Sequence, residues 1–265
     1  MFIISAPSRE RGSFAAFHQN ELVNFAVYAL AYSDLKFAPF DLHKTTLPFK
    51  EKLDVADWPH YVQGLAQTEW EQWIAQIAHS QQVSWLNAQK KAIEDCNTVS
   101  PLLWDLPLVM NGHPGYDESL HELYVQGAIA AQPSQQLSEI ETYDNPIDYW
   151  QGSPAIRAQL VTLWNRFRVE PHHSRVRFVD DLARSFDFEF YRAINDVMRD
   201  AIGEVEMFLP IFFVQYLEPV FYSSGSSLII GMPSKISHDE FLQLLGSAIR
   251  EWVQREQTSN RLIAS

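Results

Sequence analysis

The segment Arg166-Phe167-Arg168-Val169-Glu170-Pro171-His172-His173-Ser174-Arg175-Val176-Arg177-Phe178 sets four arginines in alternation with apolar residues. Read as strand, turn and strand, it puts Phe167, Val169, Val176 and Phe178 on one side and Arg166, Arg168, Arg175 and Arg177 on the other. Four guanidiniums on one face repel one another unless carboxylates or a bound anion meet them, and the planar fork of arginine suits either. These four are the candidates for an anion or an acidic partner. The plainer alternative is docking on the chain's own carboxylates or simple solvation, and a helix starting at Ser174 is the alternative geometry.

A second constellation is Asn111-Gly112-His113-Pro114-Gly115-Tyr116-Asp117-Glu118-Ser119-Leu120-His121-Glu122. A helix beginning after Gly115 brings Asp117 and His121 to one face at i and i+4, with Glu118 beside them. Carboxylate and imidazole at that spacing can hold a divalent cation, with His113 reaching in from the turn. A second set of ligands is not identifiable, so His113, Asp117, Glu118 and His121 are weak metal candidates. The expectation is no metal and no cofactor, with capping carboxylates on a solvated helical face. His172 and His173, adjacent on a strand, point to opposite faces and do not share an ion.

Covalent catalysis finds little footing. Neither a Gly-x-Ser-x-Gly elbow nor a glycine-rich phosphate loop occurs. The single cysteine, Cys96, follows Glu94 and Asp95, whose charge disfavours a thiolate, and one cysteine makes no intramolecular disulfide.

The charge is segregated. The net of −13 arises almost wholly between residues 92 and 156, which carry 10 carboxylates and no Lys or Arg. From Arg157 to Arg199 the sign reverses, with 8 Arg against 6 carboxylates. A chain this acidic repels a nucleic-acid backbone, which argues against that partner. Asp117, Glu118, Glu122, Glu139, Glu141, Asp144 and Asp148 outnumber the net positive charge available in 157–199. They are expected to form a negative surface patch that attracts a basic protein partner.

These residues need a scaffold. With 265 residues, 46% apolar and 13% aromatic including 8 Trp, the chain is ample for a continuous core. Ser237 and Glu240 form a capping box, Ile236 and Phe241 a hydrophobic staple, and Phe241, Leu244, Leu245, Ala248 and Trp252 mark one face of a helix over 238–256. Thr68 and Glu71 suggest a second capping box ahead of a helix to about residue 94, and Asn20 a third cap. Further helical patterns cover 117–131, 154–165 and 180–202.

Strand signals gather at 211–214 and 220–222, which lead through Ser223-Ser224-Gly225-Ser226-Ser227 to 228–230, a hairpin with a five-residue loop. Pro219 breaks the first arm or puts it at an edge. Phe2-Ile3-Ile4 is an additional strand of the same sheet. Residues 132–153 read as a long connection whose Tyr143, Tyr149 and Trp150 tie it to a surface. Trp104 and Trp150 stand in loop-like stretches, as packing residues or as interface anchors.

The expected fold is therefore α+β, predominantly helical, with a small antiparallel sheet formed mainly by the C-terminal third. It is one domain over 1–265, or two packed halves meeting near 132–153. The N-terminal residues lack the pattern of a secretory leader and no apolar run reaches the ~20 residues of a membrane span, so the expected compartment is the cytoplasm, without membrane association. The expected function is protein–protein interaction of adaptor, inhibitor or immunity type. The alternative is a metal-dependent enzyme acting on an anionic, phosphate-containing substrate, so enzymatic activity stays open, as does the oligomeric state.

Overall fold

The computed structural model describes residues 2–6, 13–40, 62–96, 142–169, 188–202, 208–216, 218–225, 227–233 and 236–263. In chain order these form β1 (Phe2–Ala6), β2 (Ser13–Gln19), α1 (Glu21–Ala31), α2 (Gln67–Cys96), α3 (Pro154–Val169), α4 (Phe188–Ile202), β3 (Phe208–Gln215), β4 (Val220–Ser224), β5 (Ser227–Met232) and α5 (His238–Ile263), with short 3-10 turns at Ala38–Phe40 and Pro146–Tyr149. The fold is α+β and predominantly helical.

The sheet has five strands in the order β1-β2-β3-β5-β4. It is mixed, which corrects the antiparallel expectation: β1 and β4 run antiparallel to their neighbours at the two edges, while β2, β3 and β5 are mutually parallel in the middle. Composition explains the arrangement. Leu209-Pro210-Ile211-Phe212-Phe213-Val214 and Leu228-Ile229-Ile230 are continuous apolar runs, and a strand apolar on both faces needs helices above and below it. Val220-Phe221-Tyr222-Ser223-Ser224 follows a proline and is more polar, so it takes the edge. The chain leaves β3, passes Pro219, forms β4 outside and returns as β5 between them.

Alternation along the central strands builds two cores. Phe212, Val214, Tyr216 and Ile229 face α1, α2 and α3, whereas Leu209, Ile211, Phe213, Leu228, Ile230 and Met232 face α4 and α5. The result is a helix–sheet–helix sandwich.

The helix starts follow local chemistry. Asn20 Oδ1 accepts from the N–H groups of Leu22 and Val23 at 2.9 and 3.1 Å and caps α1. Ser237 Oγ accepts from Glu240 N–H at 3.3 Å while Glu240 Oε2 accepts from Ser237 N–H at 3.1 Å, the reciprocal box expected for α5. The start of α2 differs from expectation. The helix begins one residue before Thr68, and the return bond runs from Ala66 N–H to Glu69 Oε2 at 3.3 Å. Trp70 fixes that register, because its ring is fully buried and its Nε1–H donates to Ala26 O at 2.8 Å. The β4–β5 hairpin is also tighter than expected. Ser224 pairs with Ser227 across Gly225 and Ser226, and Gly225 adopts φ +54°, which glycine reaches at little cost.

Candidate functional site

The acidic segment begins in the last turn of α2 with Glu94 and Asp95 and returns to the described residues at Thr142. From there to Ser153 the chain is tied to the α1–α3 face. Asn145 Oδ1 accepts from Ile147 N–H at 3.1 Å and caps the 3-10 turn. Trp73 Nε1–H donates to Pro146 O at 2.7 Å, and the Tyr149 hydroxyl shares a 2.8 Å hydrogen bond with Ser80 Oγ while accepting from Tyr143 N–H at 2.7 Å. The Trp150 ring packs edge-on to Trp73 at 5.6 Å and its Nε1–H donates to Ser153 O. Trp150 is thus a buried packing residue. Gly152 lies against it so closely that a Cβ there would meet the indole at 2.5 Å and Glu69 Oε1 at 2.7 Å.

This anchoring leaves Asp144 and Asp148 exposed on the outer side. Asp148 pairs with Arg157 at 3.3 Å, and both side chains are about half exposed (41% and 49%), so the pair is a surface ion pair of small energetic weight. It shows one acidic residue of the segment meeting the arginine-rich segment that follows. Asp117, Glu118, Glu122, Glu139 and Glu141 lie outside the described residues, as do His113, His121, Arg175 and Arg177. Among the described residues, no three His, Cys, Asp or Glu side chains gather where a cation could sit.

Arg166 and Arg168 stand differently from the strand expectation. Both lie in the last turn of α3, where positive charge complements the helix dipole. At 100° per residue they diverge, with the Arg166 guanidinium over the Tyr32 ring at 5.4 Å and that of Arg168 over the Trp164 ring at 5.9 Å. Phe167, 1% exposed, and Val169, 77% exposed, likewise fall on different sides rather than sharing a face. The spacing Ile156, Leu160, Leu163, Trp164, Phe167 carries the helix through to residue 169, overriding the period-two alternation of Arg with apolar residues.

The structure adds a feature at the β4 edge. Tyr222 is ringed by Phe37 at 5.2 Å, Trp70 at 5.5 Å and Phe40 at 6.3 Å. Burial, reinforced by the negative charge of Glu71 and opposed by Arg255, pushes its hydroxyl pKa up to about 12. Glu71 comes from α2 on one face of the sheet and Arg255 from α5 on the other. Pro219 was the one sequence signal pointing to this edge; the flanking charges come from remote helices and have no local signature.

No protein-family model, no characterised protein and no solved structure matches the chain. Among the described residues no helix is long and apolar enough to cross a membrane.

Proposed function

We propose that the chain is a single-domain binding protein that presents an acidic surface, drawn from Asp117, Glu118, Glu122, Glu139, Glu141, Asp144 and Asp148, to a basic protein partner in the cytoplasm. The observation that carries the reading is the coupling of charge to anchoring. A stretch with 10 carboxylates and no cation ends on a turn pinned by Tyr149 and Trp150, with Asp144 and Asp148 left facing solvent. A fixed field of one sign steers an oppositely charged protein and speeds its capture, and salt screens the effect over ~10 Å.

The test is carboxylate-to-lysine cross-linking of the protein purified from its own host, read by mass spectrometry across a salt series. The expected result is cross-links from 117–148 to lysines of one basic partner, with the complex fading between about 50 and 150 mM salt. A complex indifferent to salt, or cross-links that avoid 117–148, would overturn the reading.

A further inference from the structure

The outer edge of β4 carries a backbone ladder with no partner among the described residues, and the hydrogen bonds of the sheet show which groups are involved. Tyr216 N–H donates to Met232 O at 2.9 Å, so on β5 the residues 228, 230 and 232 turn their backbone groups toward β3. Residues 227, 229 and 231 then serve β4, where they stand opposite Ser224, Tyr222 and Val220. That assignment agrees with the two-residue turn, whose flanking residues form a hydrogen-bonded pair. The N–H and C=O groups of Phe221 and Ser223 are left directed outward. Both residues are only half buried.

The surroundings are charged. Glu71, hydrogen-bonded to Gln67 at 2.9 Å, borders Tyr222 from α2, and exposed Glu218 stands two residues before the strand. Glu69, two residues before Glu71 on α2 and turned away from it, lies against Gly152 at the end of the acidic segment, so α2 carries one carboxylate toward that segment and one toward the edge. Arg255, paired with Glu251, is the cation on the opposite face. Shortness and Pro219 limit the edge to a few rungs, which protects it from unlimited strand addition while leaving room for one short strand.

We propose that the β4 edge takes up an extended basic peptide segment of the partner as a sixth strand, hydrogen-bonded to Phe221 and Ser223, with its Lys or Arg side chains toward Glu71 and Glu218. This rests on the acidic-surface reading above and specifies how such a partner docks: main-chain bonds hold the strand, and alternate side chains select its charge.

The experiment titrates the full-length protein with a labelled alternating Lys-Val peptide, followed by anisotropy and by amide hydrogen exchange. The peptide is expected to bind and to slow exchange at Phe221 and Ser223. Ser223→Pro removes an outward N–H and leaves the rungs to β5 in place, so it is expected to abolish binding with an unchanged far-UV spectrum. Should that variant not fold, a peptide N-methylated at alternate amides replaces it on the unaltered protein, with the same expected loss. Glu71→Lys together with Glu218→Lys is expected to weaken binding about tenfold at low salt, and a Glu-Val peptide to bind at least about tenfold more weakly than the Lys-Val peptide. Binding that leaves both amides unprotected, survives N-methylation, or ignores peptide charge would overturn the proposal, as would self-association protecting the same amides. Loss of the natural partner in Glu139→Lys, Glu141→Lys, Asp144→Lys with no effect of Ser223→Pro would remove the strand-addition proposal and leave the acidic-surface reading standing.

Discussion

On one face of the sheet, Trp70, Trp73 and Tyr149 each hold a polar ring atom against a partner far away in the chain, 44, 73 and 69 positions respectively. On the other face, the helices α4 and α5 meet the strands through Ile194, Met198, Leu245, Ala248 and Ile249, and the buried Trp252 Nε1–H finds no acceptor among the described residues. Aromatic rings stacked edge-on, such as Phe25 against Trp164 at 4.8 Å, complete the first core, while Gly246 lets α5 approach Val197 of α4 in the second. Hydrogen-bonded aromatics specify where irregular segments such as 143–150 must lie. Aliphatic packing specifies little beyond which helical stripe faces inward, and that is sufficient for two long amphipathic helices.

Truncation separates the faces by the largest margin. Trp73→Ala removes a fully buried indole together with its hydrogen bond to Pro146 O, and is expected to cost about 3–5 kcal/mol and to release the 143–150 turn. Leu245→Ala, equally buried, is expected to cost about 2–4 kcal/mol without any change in that turn. Urea unfolding gives the costs, and Tyr149 fluorescence or amide exchange reports the turn. Equal loosening of 143–150 by both variants would break the contrast.

A finer comparison uses the two indoles. Trp70→Phe removes the second donor to the Ala26 carbonyl, which keeps its bond within α1, and is expected to cost about 1–2 kcal/mol, whereas Trp252→Phe removes an N–H with no acceptor among the described residues and is expected to stay within about 1 kcal/mol. The reverse order in denaturant midpoints would show that volume, not hydrogen bonding, governs both sites.

Ser237→Ala deletes the cap of α5 and is expected to cost roughly 1 kcal/mol. Its partner in the box also leaves a pH signature: the hydrogen bonds from Ser237 hold the Glu240 carboxyl below its ordinary range. The stabilisation is present above that range and fades as pH falls through the lowered value. Stability curves of Ser237→Ala and of the unaltered chain are expected to converge in acid; parallel curves would argue against the box.

The smallest effect concerns His79, which burial pushes below its ordinary 6.5. The folded chain then holds a proton less readily than the unfolded one, so stability is full above about pH 6.5 and declines as pH falls toward the lowered value. His79→Gln is expected to flatten that decline, measured as the difference in unfolding midpoint between about pH 5.5 and 7.5.

Most features decided within four residues were legible beforehand. Asn20, the Ser237–Glu240 box and the interruption at Pro219 each act on neighbouring backbone and stand where expected, whereas the Gly225 turn is shorter than its serine-rich surroundings suggest and the Thr68–Glu71 spacing yields to the register that buried Trp70 imposes on α2. The tethering of 143–150 was visible in its aromatic residues, although not its partners Ser80 and Trp73. What the amino-acid order concealed was non-local. Nothing near Ser13–Gln19 announces a strand whose parallel partner begins at Phe208, and the alternation of Arg166 and Arg168 with Phe167 and Val169 imitates a strand until the Leu160-Leu163-Trp164-Phe167 spacing is weighed against it. The Tyr222 edge depends on Glu71 and Arg255 meeting around one ring from opposite ends of the sequence.

The pairing of Phe14 with Phe208 sets a clock on biosynthesis. At the ~5–20 residues per second of chain elongation, roughly ten to forty seconds pass between the emergence of β2 and that of the strand that completes its ladder. Throughout that interval α1 has no finished sheet to lie against, and its apolar stripe of Phe25, Ala26, Ala29 and Leu30 must be shielded by other means. The nascent chain is thus at its most vulnerable early, and a pause or truncation anywhere before residue 208 leaves a product that cannot close its own centre.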